Sequence, residues 1–394
     1  MYPAVGLAEK EASPWDFLPA REQPDWRSHP GLARNRAELR SSEPLVTERE
    51  IIAARRAIAL VAVSEARLTQ IGDCAESFTE SDPASTAAKA ALLDELGDLL
   101  AQRTGQSVAR FGRMAGQYAK PRSSATELVG GFELPTFRGH LVNSPEPDPV
   151  ARAADPERLL RAYRESSRVL NGLRSHRTGE DGGPWVSHEA LVLDYESPQI
   201  RRGERAGERY LSSTHLPWIG ERTRQPDHAH VAMLSAVSNP VACKVGPTMT
   251  PRSAVELCGI LDPDRVPGRL TLIARMGADR VGAVLPEIAR AVRRAGHPVV
   301  WLSDPMHGNT VRAGSGHKTR HLETMIREAS TFRTVLEALG LHPGGLHLEV
   351  ATADVTECVG ATVPDEESVR LRYESLCDPR LNPAQARELI EAVF

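Results

Sequence analysis

Seven residues stand at or just past the ends of short apolar runs in this chain: Cys74, Arg113, Glu221, Lys244, Arg275, His307 and Glu349. They fall into two chemical sets. Cys74, His307 and Glu349 offer a thiolate, an imidazole and a carboxylate, and Asp378 joins them if "YESLCDP" is a further strand. A mixed sulfur, nitrogen and oxygen set that leaves coordination positions open suits a catalytic divalent metal such as Mn2+, Co2+, Fe2+ or Zn2+. Arg113, Lys244 and Arg275 form the second set. Buried cations are costly unless they meet anions. More donors lie nearby in "AKPRSS", with Lys120, Arg122 and Ser123, and in "GERTRQ", with Arg222 and Arg224. Together they imply a substrate carrying several negative charges, as phosphates or carboxylates.

Each residue alone also fits an ordinary role. In "SDPMHGNT" (303–310), Asp-Pro and Gly-Asn are common turn dipeptides. A strand-end cysteine is commonly a small core residue, and an isolated arginine a surface ion pair. The shared position on successive strand ends favours chemistry over coincidence. Two further patterns fail. "GSGHKT" (314–319) lacks the Gly-Lys adjacency of a phosphate-cradling loop, and "SHEAL" is not a two-histidine zinc motif.

Residues so far apart converge only if the runs are strands of one parallel sheet. "LTQIGDC", "VARFGRM", "HLPWIGE", "PVACKV", "LTLIAR", "HPVVWLSD" and "GLHLEV" are separated mostly by stretches of helical spacing, such as "TAAKAALLDELGDLLAQ" and "DRVGAVLPEIARAVRRAG". Repeated strand-helix units predict an α/β fold, a (β/α)8 TIM barrel whose active site sits at the C-terminal strand ends. Seven strands are evident, with "YESLCDP" as the candidate eighth. Residues 114–212 read as an insertion between the second and third strands, holding a helix around 156–174. Residues 1–50, with Trp15, Phe17 and Trp26, read as an N-terminal arm, and 51–394 as a single catalytic barrel.

Composition narrows the classes. The 394 residues are 41% apolar and 25% charged, with net charge −4, so nucleic acid is not an expected partner. The longest apolar run, "AIALVAV", is too short to span a membrane, and the N-terminus lacks a signal-peptide core. The expected location is the cytoplasm. Five cysteines without C-x-x-C spacing argue against a disulfide framework or a zinc ribbon. Only five basic residues are lysines (10, 89, 120, 244 and 318), and three of these lie in motif-like stretches.

"GDCAESF", "GRMAGQYAKPRS", "WIGERTRQ", "CKVGPTMTP", "DPMHGNT", "GLHLEV…VTECVG" and "CDPRLN" together resemble the type II 3-deoxy-D-arabino-heptulosonate 7-phosphate (DAHP) synthases, from about residue 15 to the C-terminus. The resemblance implies a metal-dependent (β/α)8 transferase that condenses phosphoenolpyruvate with D-erythrose 4-phosphate, the first step of the shikimate pathway to chorismate and the aromatic amino acids. It implies Cys74, His307, Glu349 and Asp378 as metal ligands, with Mn2+ or Co2+ first and Fe2+ or Zn2+ next. Arg113, Trp218, Glu221, Lys244 and Arg275 match its phosphoenolpyruvate site. Lys120, Pro121, Arg122, Ser123, Arg222 and Asp304 match its sugar-phosphate end. Lys244, Glu221, Arg275 and His307 are the expected catalytic groups. A homo-oligomer, dimer or tetramer, is expected, with chorismate mutase or another pathway enzyme as the candidate protein partner.

The chain departs from the family pattern at His140, where Asp is expected, and within "ATADVTECVGAT" (351–362). The connection "RSHRTGEDGGPWVSHEALVLDYE" is short where regulated members carry an additional helix pair, so the chain resembles the compact subgroup often serving secondary metabolism. Two alternatives follow: an aminoDAHP synthase using an imino acceptor, or a non-catalytic partner of a chorismate-utilising enzyme.

Overall fold

The apolar runs form eight short strands: β1 (Ala66–Gly72), β2 (Ser107–Arg113), β3 (Trp185–Glu189), β4 (Leu216–Ile219), β5 (Val241–Val245), β6 (Leu270–Ala274), β7 (Val300–Ser303) and β8 (Pro343–Glu349). In the computed structural model, which describes residues 13–176 and 183–394, they close into one parallel barrel in the cyclic order β1-β8-β7-β6-β5-β4-β3-β2. Lys10, the start of the arm and positions 177–182 of the β2–β3 connection lie outside the described residues. Among the described residues no helix is long and apolar enough to cross a membrane.

Leu68, Phe111, Trp185, Leu216, Ile273 and Leu302 fill the barrel interior together with Ala54, Ile58 and Val61 of the helix Glu48–Ala62. That helix plugs the N-terminal end of the barrel. Its start is set by a reciprocal cap between Thr47 and Glu50. Its close seat depends on Gly268, whose left-handed backbone (φ +83°) leaves no room for a Cβ beside the Arg55 carbonyl and the Ala59 amide. With one end closed, chemistry is confined to the other.

Register then decides which side chains meet. Gly72 pairs with Arg113 on one side and Glu349 on the other, so the ends of β2, β1 and β8 lie level. On the opposite wall Lys244 pairs with Ile273, one residue below the end of β5.

The structure corrects two expectations. The eighth barrel strand is β3, inside the region read as an insertion, and "YESLCDP" is an irregular loop. "WVSHE" gave no apolar run because its inward and lateral polar groups are satisfied within the fold: Ser187 donates to the Leu216 carbonyl and His188 pairs with Glu196. The excursion between β2 and β3 is accordingly shorter, and carries the hairpin Thr126–Val129/Phe132–Pro135 and the helix Arg158–His176. The arm is fastened by its indoles. Trp15 and Trp26 are buried and donate to Ser197 Oγ (2.9 Å) and Asp194 Oδ2 (2.8 Å) in the β3–β4 connection, whereas Phe17 is exposed.

Candidate active site

Two loops bring the sulfur and one carboxylate together. Cys74 lies two residues past β1, and the backbone N–H of Asp378 donates to its Sγ at 3.3 Å. The loops are clasped through neighbouring residues: Arg380 bridges Asp73 (2.9 Å) and Glu357 (2.9 Å), and Lys89 binds the other Asp73 oxygen at 2.7 Å. Glu349 ends β8, and the donor atoms of Cys74, Glu349 and Asp378 lie within 4.8 Å of one another. His307 reaches the same point, its Nε2 3.0 Å from Glu349 Oε1. Its Nδ1 is held by Asp304 at 2.8 Å, a carboxylate-histidine pairing that fixes the ring and leaves Nε2 directed at the cluster. Burial, a hydrogen bond with Cys377 and the Glu349 charge push the Cys74 thiol well above its ordinary range. One thiol, one imidazole and two carboxylates in contact fit a divalent transition metal, whose charge would favour the thiolate.

Cations surround this group. Glu349 accepts from Arg113 (3.0 Å), Lys120 (2.9 Å) and Arg320 (2.8 Å), and with His307 beside it these charges outweigh its burial and hold its carboxyl well below the usual range. Lys120 also approaches Asp378 Oδ2 (3.4 Å), while Lys318 binds Asp378 Oδ1 at 2.8 Å. A second possible donor cluster, Asp304, His307 and His347, shares His307. There Asp304 is bound by Lys244 and His307, and His347 faces Arg113, so it is a hydrogen-bond network.

A cavity of about 200 Å3 opens beside the cluster and gathers Arg113, Lys120, Pro121, Trp218, Glu221, Arg222, Lys244, Arg275, His307 and Asp378. Lys244 is held by Asp304 at 2.5 Å, and burial depresses its pKa to about 8. Arg275 donates to the His307 carbonyl. Trp218 lies against the Arg113 guanidinium at 5.1 Å. Glu221 is gripped through Oε1 by Arg224 (2.6 Å), its Oε2 is buried without a partner among the described residues, and a Cβ on Gly246 would lie 2.6 Å from the carboxylate. Arg122 and Ser123 line an adjoining space of about 770 Å3 with Arg312, His317 and Lys318; Arg222 connects the two by donating to Ser123 Oγ at 2.7 Å. Asp304 is the exception: it is fully buried beneath Lys244 and His307, off the cavity wall.

Several residues of the site gave no signal in the sequence. Glu189, at the end of β3, lines the cavity with a buried Oε1 that has no partner among the described residues, and burial pushes its carboxyl up against the pull of Lys120, Lys244 and Arg113. Glu76, inside "GDCAESF", accepts the backbone N–H groups of Ala115, Gly116 and Gln117 and so shapes the turn that delivers Lys120. Arg320 is wholly buried against Glu349. His140 packs between Phe78 and Phe137, and burial holds its pKa at about 4.

The family model described as the class-II DAHP synthetase family matches residues 10–184 and 180–393. The chain is 49% identical over 372 residues to a probable phospho-2-dehydro-3-deoxyheptonate aldolase of Pseudomonas fluorescens, covering 93% of this chain and 92% of that protein. It is 40% identical to the phospho-2-dehydro-3-deoxyheptonate aldolase of Streptomyces coelicolor, covering 95% and 94% of the two chains. For the Mycolicibacterium smegmatis protein of that name the identity is 38%, covering 94% and 91%. The structure of phospho-2-dehydro-3-deoxyheptonate aldolase from Francisella tularensis shares the fold, with a TM-score of 0.54 over 91% of this chain and 96% of that one, at 15% identity.

Proposed function

Because the chain belongs to the class-II DAHP synthetase family, we propose that it joins phosphoenolpyruvate, D-erythrose 4-phosphate and water to give DAHP and phosphate. The observation that carries this reading is one cavity that Arg113, Lys244 and Arg275 line together with His307 and Asp378, beside Cys74 and Glu349. Cys74, His307, Glu349 and Asp378 would hold a divalent cation, Mn2+ or Co2+ before Fe2+ or Zn2+, and bound there it supplies Lewis-acid polarisation of the acceptor aldehyde.

The protein's own groups account for the rest. Arg113, Lys244 and Arg275 neutralise the phosphate and carboxylate of phosphoenolpyruvate, in a cavity where charge-assisted contacts are strong. Its C3 then attacks the aldehyde carbon, and positive charge develops at C2. Water adds at C2, and the Oε2 of Glu221, without a partner among the described residues, would accept a water proton. Loss of phosphate from the resulting hemiketal gives the ketone product. Lys120, Pro121 and Arg222 lead from the cavity towards Ser123 and Arg122, a path suited to the acceptor's phosphate. Asp304 acts from behind, orienting Lys244 and His307.

Kinetics test this partition. Lys244→Ala should raise the KM for phosphoenolpyruvate, and Arg222→Ala mainly that for erythrose 4-phosphate, each by about 10- to 150-fold for one lost charge-assisted contact. Equal rises of both constants in each variant would contradict the partition. Erythrose 4-phosphate itself, rather than an imino analogue, is the acceptor we favour, because His140 packs between Phe78 and Phe137 and does not line the cavity. Comparing turnover of the two acceptors checks this.

We infer that aromatic amino acids do not regulate the enzyme, in keeping with a role in secondary metabolism. The helix Arg158–His176 in the β2–β3 connection lies only eight residues before β3, which leaves no length for the further helices that an inhibitor-binding surface would need. Phe, Tyr and Trp, singly or together, should leave the rate at sub-saturating substrate unchanged. Inhibition at micromolar concentrations would overturn the inference.

A further inference from the structure

We propose that His347 is a positioning residue for phosphoenolpyruvate, holding Arg113 so that its one uncommitted N–H faces the substrate cavity. The proposal rests on the reading of Arg113 as part of that substrate's site.

A barrel interior is ordinarily filled by bulky apolar layers. Here a level of it is polar. His347 precedes Glu349 by two residues on β8 and so shares its inward face. Its register partner on β1 is Gln70, and His347 Nδ1 lies 2.6 Å from Gln70 Oε1. Gln70 Nε2 donates to Ser187 Oγ at 2.6 Å, and that hydroxyl donates to the Leu216 carbonyl at 2.5 Å. On the other side, Nε2 of His347 meets Nη1 of Arg113.

The ends of this chain determine its protons. A guanidinium can only donate, so His347 Nε2 must be the acceptor and Nδ1 must carry the hydrogen given to Gln70. The amide of Gln70 is thereby oriented, and the backbone carbonyl of Leu216 terminates the chain.

Donor counting gives the consequence. Arg113 spends Nε and one Nη2 hydrogen on the Asp73 carbonyl, both at 3.1 Å, and the other Nη2 hydrogen on Glu349 at 3.0 Å. One Nη1 hydrogen goes to His347. Of the five hydrogens of a guanidinium, one on Nη1 is left without a partner among the described residues. Trp218 stands against both partners, 5.1 Å from the guanidinium and edge-on to His347 at 5.3 Å. Removing the acceptor at Nε2 frees the guanidinium to turn, and the aim of that last hydrogen is lost.

The test compares His347→Asn with His347→Gln, measuring phosphoenolpyruvate binding through tryptophan fluorescence and both KM values in turnover. Asn keeps a group at the Nδ1 position and loses the acceptor for Arg113, whereas Gln can place an oxygen near Nε2. We expect H347N to weaken phosphoenolpyruvate binding about 10-fold or more, with the KM for erythrose 4-phosphate unchanged and H347Q recovering most of the loss. If H347N does not fold, Gln70→Met supplies the same readout, with a smaller rise confined to phosphoenolpyruvate. Wild-type binding in whichever loss variant folds, parallel rises of both KM values, or indistinguishable H347N and H347Q would overturn the proposal. Failure of the wild-type protein to bind phosphoenolpyruvate would strike the underlying site reading instead, and the proposal with it.

Discussion

Replacing Cys74 by Ser or His307 by Ala will abolish turnover while leaving the fold in place. Both side chains lie where strand-end loops converge, and neither is a large part of the apolar core. Ser matches Cys in shape but its hydroxyl is a far poorer ligand than a thiolate for a transition metal. Ala at 307 removes the imidazole that Asp304 orients, and leaves the Asp304 carboxylate with Lys244 and the backbone N–H groups of Met306 and residue 307. The expected result is loss of bound metal by elemental analysis, turnover at background, and a circular dichroism spectrum like that of the wild type. Full activity in either variant, or in metal-stripped wild-type protein, would contradict the assignment of these residues.

The second large effect is on stability as well as activity. From the sequence alone Glu349→Gln is the milder change, because a neutral oxygen can still coordinate. The structure adds three buried cations that depend on this carboxylate: Arg113, Lys120 and Arg320. Breaking a buried ion pair from one side costs roughly 3–5 kcal/mol, since the opposite charge stays buried and uncompensated. Glu349→Gln should therefore unfold at clearly lower denaturant than wild type, in addition to losing metal affinity. Glu221→Gln should show no such shift, its carboxylate being paired, among the basic side chains of the described residues, only with Arg224. Equal unfolding midpoints for Glu349→Gln and wild type would show that other anions balance this charge cluster.

What the sequence discloses follows from where information is local. Strands buried on both faces announce themselves as apolar runs, so seven of the barrel strands, and the residues at their ends, could be read directly. β3 could not. Its Ser187 finds a partner on β4, its His188 finds one in Glu196 beyond the strand, and the Oε1 of its Glu189 has none among the described residues, so no apolar run marks it. The same holds for Asp378. The strand expected to carry it is a loop, fixed where Arg380, two residues on, reaches Asp73 and Glu357, which are distant in sequence and adjacent in space. Glu76, Glu189, His347 and Arg320 escaped notice for one reason: each acts on another side chain or on the backbone, and only tertiary structure reveals the object of that action. Asp304 was legible as special, but its place behind Lys244 and His307 was not.

The central claim is that one cavity brings phosphoenolpyruvate to its acceptor beside Cys74, His307, Glu349 and Asp378, which would hold a divalent metal. It is tested most directly by phosphate release from phosphoenolpyruvate, followed with and without erythrose 4-phosphate and with and without a chelator. The account predicts release only when both substrates are present, loss of that release with the chelator, and recovery on adding Mn2+ or Co2+. Release that ignores erythrose 4-phosphate, or that persists undiminished in exhaustively chelated protein, would contradict it.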